Sequence, residues 1–100
     1  MGCTPETPSL SRAEAEAHLL SLPGWSLEFP KLRRVDVFPD FRKALAWLNR
    51  VGMLAEEQDH HPDFHLTGWS QVELVLWTHA IEGLSLSDVE MARRISELAG

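Results

Sequence analysis

Five histidines occur in this 100-residue chain, and three of them, His60, His61 and His65, fall within six residues. A fourth, His79, follows eighteen residues after His61, at the end of a run rich in valine, leucine and threonine. Imidazole gives and takes protons near neutral pH. A positioned proton donor or acceptor contributes roughly 10²–10⁴ in rate. Pro62 directly follows the histidine pair; its ring fixes its own φ and biases His61 towards an extended backbone. Two imidazoles are therefore held where a helix should end and a strand begin. One histidine alone is more often structural or merely exposed. Several of them beside Glu56 and Asp59 point to acid–base chemistry.

The elements around them decide whether these histidines can meet. Ser11-Arg12-Ala13-Glu14 reads as a capping box that opens a short helix running to Leu22, closed by Pro23-Gly24. Trp25 to Phe29 and Leu32 to Phe38 form a hairpin about Pro30-Lys31. Asp40 caps the longest helix, Phe41 to Asp59, with one apolar stripe at Phe41, Leu45, Leu48, Val51 and Ala55. A second stripe follows Trp47, Val51, Leu54 and Gln58. A second hairpin joins Asp63–Thr67 to Gln71–His79 through Gly68-Trp69-Ser70. In its second strand Val72, Leu74, Leu76 and Thr78 should face the helices, with Glu73, Val75, Trp77 and His79 opposite. Ser85-Leu86-Ser87-Asp88 is another capping box, opening a last helix with Val89, Ala92, Ile95 and Leu98 on its inner stripe. Antiparallel pairing in the second hairpin sets the start of one strand beside the end of the other. His60, His61 and His79 thereby converge by connectivity alone.

Composition bounds the alternatives. The length suits one domain, 11–100, behind a mobile tail at 1–10. A net charge of −6 argues against a nucleic-acid partner, which calls for a basic surface. No run approaches the ~18 apolar residues of a membrane span, and no signal peptide is visible. A lone Cys3 permits no intrachain disulfide, which fits a cytoplasmic protein. Metal chemistry is the main rival, but His-Glu-x-x-His spacing and a cysteine pair are both missing, so no metal is expected. The doubly apolar long helix and Trp77 on the outer sheet face predict a homodimer or homotetramer.

Glu56, His60-His61-Pro62, Trp69, His79 and Asp88, at these spacings, resemble the signature of the pterin-4a-carbinolamine dehydratases. The likeness extends to Gly24-Trp25 and to the helix from Asn49-Arg50-Val51 to Glu56, covering nearly the whole chain beyond residue 10. It implies an α+β fold, a four-stranded antiparallel sheet with three helices on one face in the order α-β-β-α-β-β-α. It also implies dehydration of 4a-hydroxytetrahydropterin to the quinonoid dihydropterin, a step of tetrahydrobiopterin recycling, without metal or cofactor. By resemblance His60, His61 and His79 are catalytic, Glu56 supports them, and Trp25, Pro62 and Asp88 contact the pterin. His65 stands outside the pattern and receives no role. The competing expectation is a non-catalytic assembly or dimerisation factor that keeps the fold as a scaffold.

Overall fold

In the computed structural model, which describes residues 7–99, the elements follow the expected order. They are α1 (Arg12–Leu19), β1 (Trp25–Glu28), β2 (Lys31–Val37), α2 (Phe41–Gln58), β3 (Asp63–Thr67), β4 (Gln71–Leu76) and α3 (Leu86–Ala99), with a single 3₁₀ turn at His79–Ile81. The four strands form one antiparallel sheet in the order β1-β2-β4-β3, and the helices cover one face, an α+β fold. Strand alternation explains the layering. Leu32, Val72, Leu74 and Leu76 point at the helices and are buried. They meet Val51 and Ala55 of α2 and Met91, Ala92 and Ile95 of α3. Arg33, Glu73, Val75, Asp63 and His65 alternate onto the open face.

The α1 capping box is complete: the Ser11 amide donates to Glu14 Oε1 at 2.8 Å, and the Glu14 amide to Ser11 Oγ at 3.1 Å. The helix ends at Leu19 rather than Leu22, yet Leu22 is buried and its amide donates to the Leu19 carbonyl in a tight turn. Gly24 has a φ of +88°, and a Cβ there would lie 2.5 Å from Arg34 Nη1. Only glycine lets that guanidinium reach the Pro23 carbonyl at 3.1 Å while it also holds Asp36 at 2.7 Å. Residues 1–6, with Cys3, lie outside the described residues. Within the segment expected as tail, the Leu10 amide donates to the Leu84 carbonyl at 2.7 Å and ties residue 10 to the core.

Two expectations need correction. The strand expected to reach His79 stops at Leu76, because the Thr78 amide donates to the Gly83 carbonyl (2.7 Å) and closes a loop on itself. His79 therefore sits on the 3₁₀ turn inside that loop; it is exposed as foreseen, but strand alternation does not put it there. In α2 the deeply buried stripe is Ala44, Trp47, Val51 and Ala55, so it is the stripe through Trp47 that meets the sheet. Phe41 and Leu45 remain 49% and 40% exposed, on the face of α2 beside that buried stripe.

Candidate active site

The end of α2 carries the site. Asp59 closes the helix in the left-handed conformation, φ 51°. The Asp59 amide donates to the Glu56 carbonyl (3.3 Å) and the His60 amide to the Ala55 carbonyl (3.1 Å), a Schellman pair. Aspartate is one of the few non-glycine residues that adopts this conformation readily. The reversal turns His60 inward, and Pro62 then carries the chain into β3. Asp63 pairs with Val75 in the β3–β4 register, so the histidine pair lies beside the chain leaving β4. His60, His61 and His79 accordingly line one pocket of about 240 Å³, together with Asp59, Trp77, Thr78 and Ala80.

The three imidazoles are not equivalent. His60 is 10% exposed and places Nε2 2.6 Å from Asp88 Oδ1. Asp88 is wholly buried, and its other oxygen accepts from the Thr78 hydroxyl (2.7 Å) and the Ser85 amide (2.9 Å). The contact between Nε2 and Asp88 Oδ1 fixes the His60 ring from behind. His61 and His79 are 56% and 63% exposed at the pocket mouth. Each faces a carboxylate at ion-pair rather than hydrogen-bond distance: Glu56 Oε1 lies 3.7 Å from His61 Nε2, and Asp63 Oδ1 lies 3.9 Å from His79 Nε2. The Trp77 ring packs on the His79 ring with centroids 4.4 Å apart. One buried, anchored imidazole thus backs two accessible ones, each with an acid in reach.

The residues expected from resemblance separate accordingly. The structure brings His60, His61 and His79 together and sets Glu56 against His61. Asp88 sits behind His60, closed off from the pocket, and half of the expected capping box is recognisable in its bond to the Ser85 amide. The Ser85 hydroxyl instead meets Thr78 Oγ1 at 2.8 Å. Trp25 is a core residue, 7% exposed, whose indole N–H donates to the Ala92 carbonyl (3.0 Å) on α3, and it does not line the histidine pocket. Pro62 is half-buried and is not part of that lining either. His65 lies on the open sheet face, in a neighbouring hollow with Lys31 and Asp63. Sequence reasoning missed Asp63, Thr78 and Ser85 as partners of the histidines and of Asp88. The one available signal for Asp63 was its place at the start of a strand paired to the approach to His79. Among the described residues no three or more histidine, cysteine, aspartate or glutamate side chains are grouped to hold a metal ion, and no helix is long and apolar enough to cross a membrane.

A protein of Rubrobacter xylanophilus named "Putative pterin-4-alpha-carbinolamine dehydratase" is 43% identical over 97 residues, covering 96% of this chain and 90% of its own length. A protein of Chlorobaculum tepidum with the same name is 43% identical over 100 residues, covering 96% and 89%. The crystal structure of a transcriptional coactivator/pterin dehydratase from Brucella melitensis superposes with a TM-score of 0.83 at 29% identity, over 93% of this chain and all of that one. A pterin dehydratase-like protein described as a RuBisCO assembly factor in the alpha-carboxysome matches at a TM-score of 0.59 and 26% identity, over 76% of this chain and 87% of that one. The family model for Pterin 4 alpha carbinolamine dehydratase matches residues 8–98, nearly the whole chain. With that match and with relatives above 40% identity along its length, the chain belongs to the pterin 4 alpha carbinolamine dehydratase family.

Proposed function

We propose that this protein dehydrates 4a-hydroxytetrahydropterin to the quinonoid dihydropterin, with His61 and His79 as the proton-transferring pair and His60 as the residue that orients the ring. The reaction breaks the C4a–O bond and forms a C4a=N5 double bond. The N5 lone pair expels the hydroxyl, one imidazolium protonates it so that water leaves, and a neutral imidazole takes the N5 proton. Two accessible imidazoles on one pocket wall match that need. The single observation that carries the reading is their convergence, from the end of α2 and the loop after β4, on a pocket backed by the His60–Asp88 pair. Glu56 stands 3.7 Å from His61 and Asp63 3.9 Å from His79, so each imidazole has a carboxylate in reach. Neither metal nor cofactor enters these steps. Step assignments between His61 and His79 follow the substrate's orientation, and either order balances the protons.

A stopped-flow assay of 4a-hydroxytetrahydropterin dehydration tests this reading. Wild type should accelerate the reaction well above its spontaneous rate, and the His61→Ala/His79→Ala double variant should lose about 10²–10⁴ of that rate. A wild-type rate equal to the spontaneous one would overturn it.

A second reading rests on a different surface. Phe41, Leu45, Met53 and Phe64 stay exposed along α2 and the adjoining edge strand. A band of that kind suits association, and we take it as the contact of a homodimer or homotetramer. A non-catalytic assembly factor on the same fold is the competing reading, since one similar structure is described as a RuBisCO assembly factor.

A further inference from the structure

We propose that Trp77 is a positioning residue whose ring face holds the His79 imidazole in the orientation that proton transfer needs. The inference rests on the dehydratase reading above and deepens it, by giving a role to a pocket residue which that reading leaves without one. Of the three pocket histidines, His79 is the most exposed, at 63%. Its ring makes no hydrogen bond among the described residues, and Asp63 Oδ1, at 3.9 Å, stands beyond hydrogen-bond reach. The turn that carries it is only three residues long and lacks a side-chain cap. A histidine free in water samples three χ1 wells and two ring orientations, about six arrangements. One contact opposes that freedom: the Trp77 ring lies with its centroid 4.4 Å from that of His79, the planes tilted by 54°.

The backbone sets the two rings against each other. Leu76 and Thr78 are both buried, so Trp77 between them turns to the other side of the chain. Thr78 is extended, with φ −99° and ψ 106°, and the residues flanking an extended residue project the same way. Thr78 is itself held at both ends. Its amide donates to the Gly83 carbonyl at 2.7 Å, and its hydroxyl donates to Asp88 Oδ2 at 2.7 Å. The ammonium of Lys31, 4.5 Å from the Trp77 ring centroid, steadies the indole by a cation–π contact.

The ring, rather than the indole N–H, is what this position uses. Trp77 Nε1 is buried and has no hydrogen-bond partner among the described residues. Aromatic rings in offset or tilted contact are favoured by about two- to twelvefold over rings apart. That is the scale needed to select one arrangement of His79 from about six. A proton donor or acceptor works only from within hydrogen-bond reach of the atom it serves, so the selected fraction enters the rate directly. His60 needs no such support, because Asp88 already fixes its ring.

The test makes Trp77→Leu and Trp77→Phe, each alone and in a His79→Ala background, and follows dehydration of 4a-hydroxytetrahydropterin by stopped flow. Trp77→Leu removes the ring but keeps an apolar side chain; it should lower kcat about sixfold and leave KM within about twofold. Trp77→Phe keeps a ring face and should hold kcat within about twofold of wild type. In the His79→Ala background Trp77→Leu should cost no further rate, because a residue that acts through His79 has nothing left to act on. Four results overturn the proposal and leave the dehydratase reading intact: an unchanged kcat in Trp77→Leu, a loss carried by KM, a Trp77→Phe as slow as Trp77→Leu, or an equal loss in both backgrounds. If wild type dehydrates no carbinolamine, the dehydratase reading falls and NMR of the same proteins decides. Nuclear Overhauser contacts between indole and His79 ring protons, with an upfield ring-current shift of the latter, should appear in wild type. Their presence there and loss in Trp77→Leu supports the held ring, while their absence from wild type overturns it.

Discussion

Burial divides the three histidines into two kinds of residue, and substitution should expose the division. His60 and Asp88 are a buried pair, and removing the imidazole leaves a carboxylate without one of its charge-assisted partners. Losing a hydrogen bond to a charged group costs roughly 1.5–3 kcal/mol. His60→Ala should therefore lower the denaturant midpoint by an amount equivalent to about 2 kcal/mol and lower the rate with it. Exposed His61 and His79 contribute little to folding, since surface substitutions fall within about 0.5 kcal/mol. Their single alanine variants should keep wild-type midpoints while losing about 10²–10⁴ in kcat. Midpoints and dehydration kinetics on the same three variants check this. A stability loss at His61 or His79 that matched the rate loss would make those residues structural instead.

Helix ends, rather than helix or strand interiors, hold the site in place. The left-handed Asp59 aims His60, and Asp88 serves two elements at once, capping Ser85 with one oxygen and holding His60 with the other. A negative charge in the first turn of α3 is also favoured by the helix dipole. At the other end of the chain, the amide and hydroxyl of Ser11 hold the Glu14 carboxyl below its ordinary value of 4.5. A carboxyl whose folded value is depressed contributes stability that is present above the unfolded value and lost as pH falls through the folded one. The cap of α1 should accordingly stay closed at pH 6 and loosen as pH falls through and below the carboxyl's ordinary value of 4.5. Amide exchange at Ser11 and Glu14, followed by NMR across that range, reads the opening directly. Glu14→Gln should remove the pH dependence at Ser11. Protection of the Ser11 amide that did not change with pH in wild type would count against the cap.

Association is the property of the molecule as a whole that the surface points to. Phe41 and Leu45 share one face of α2, and Met53 and Phe64 extend it towards the β3 edge. Covering such a band stabilises by roughly 25 cal/mol for each Å² of apolar surface removed from water. Light scattering at micromolar concentration should give a dimer or tetramer mass for wild type. Leu45→Glu places a charge in the middle of the band and should shift the mass to that of a monomer, with the fold retained because Leu45 stands outside the core. A monomeric wild type would remove the oligomer proposal without touching the histidine site.

The sequence alone determined the order of elements, the two hairpins and the convergence of His60, His61 and His79. Each depends on a local or topological rule: turn residues, apolar periodicity, and the antiparallel return of a hairpin. It also fixed the Ser11–Glu14 cap, whose partners are three residues apart. Only the tertiary structure decided which stripe of α2 is buried, because Phe41 and Leu45 differ from Ala44 and Trp47 in what the sheet reaches, not in hydrophobicity. It also decided where β4 ends, since the Thr78–Gly83 closure is a pairing that no Pro or Gly within the strand announces. The distinct natures of the histidines came the same way. His60 is buried because Asp88, twenty-eight residues away, waits inside with Thr78 and Ser85. Trp25 is a core residue because α3 offers it the Ala92 carbonyl. Local rules set the backbone, whereas a side chain's burial and charge partners depend on which distant elements pack against it.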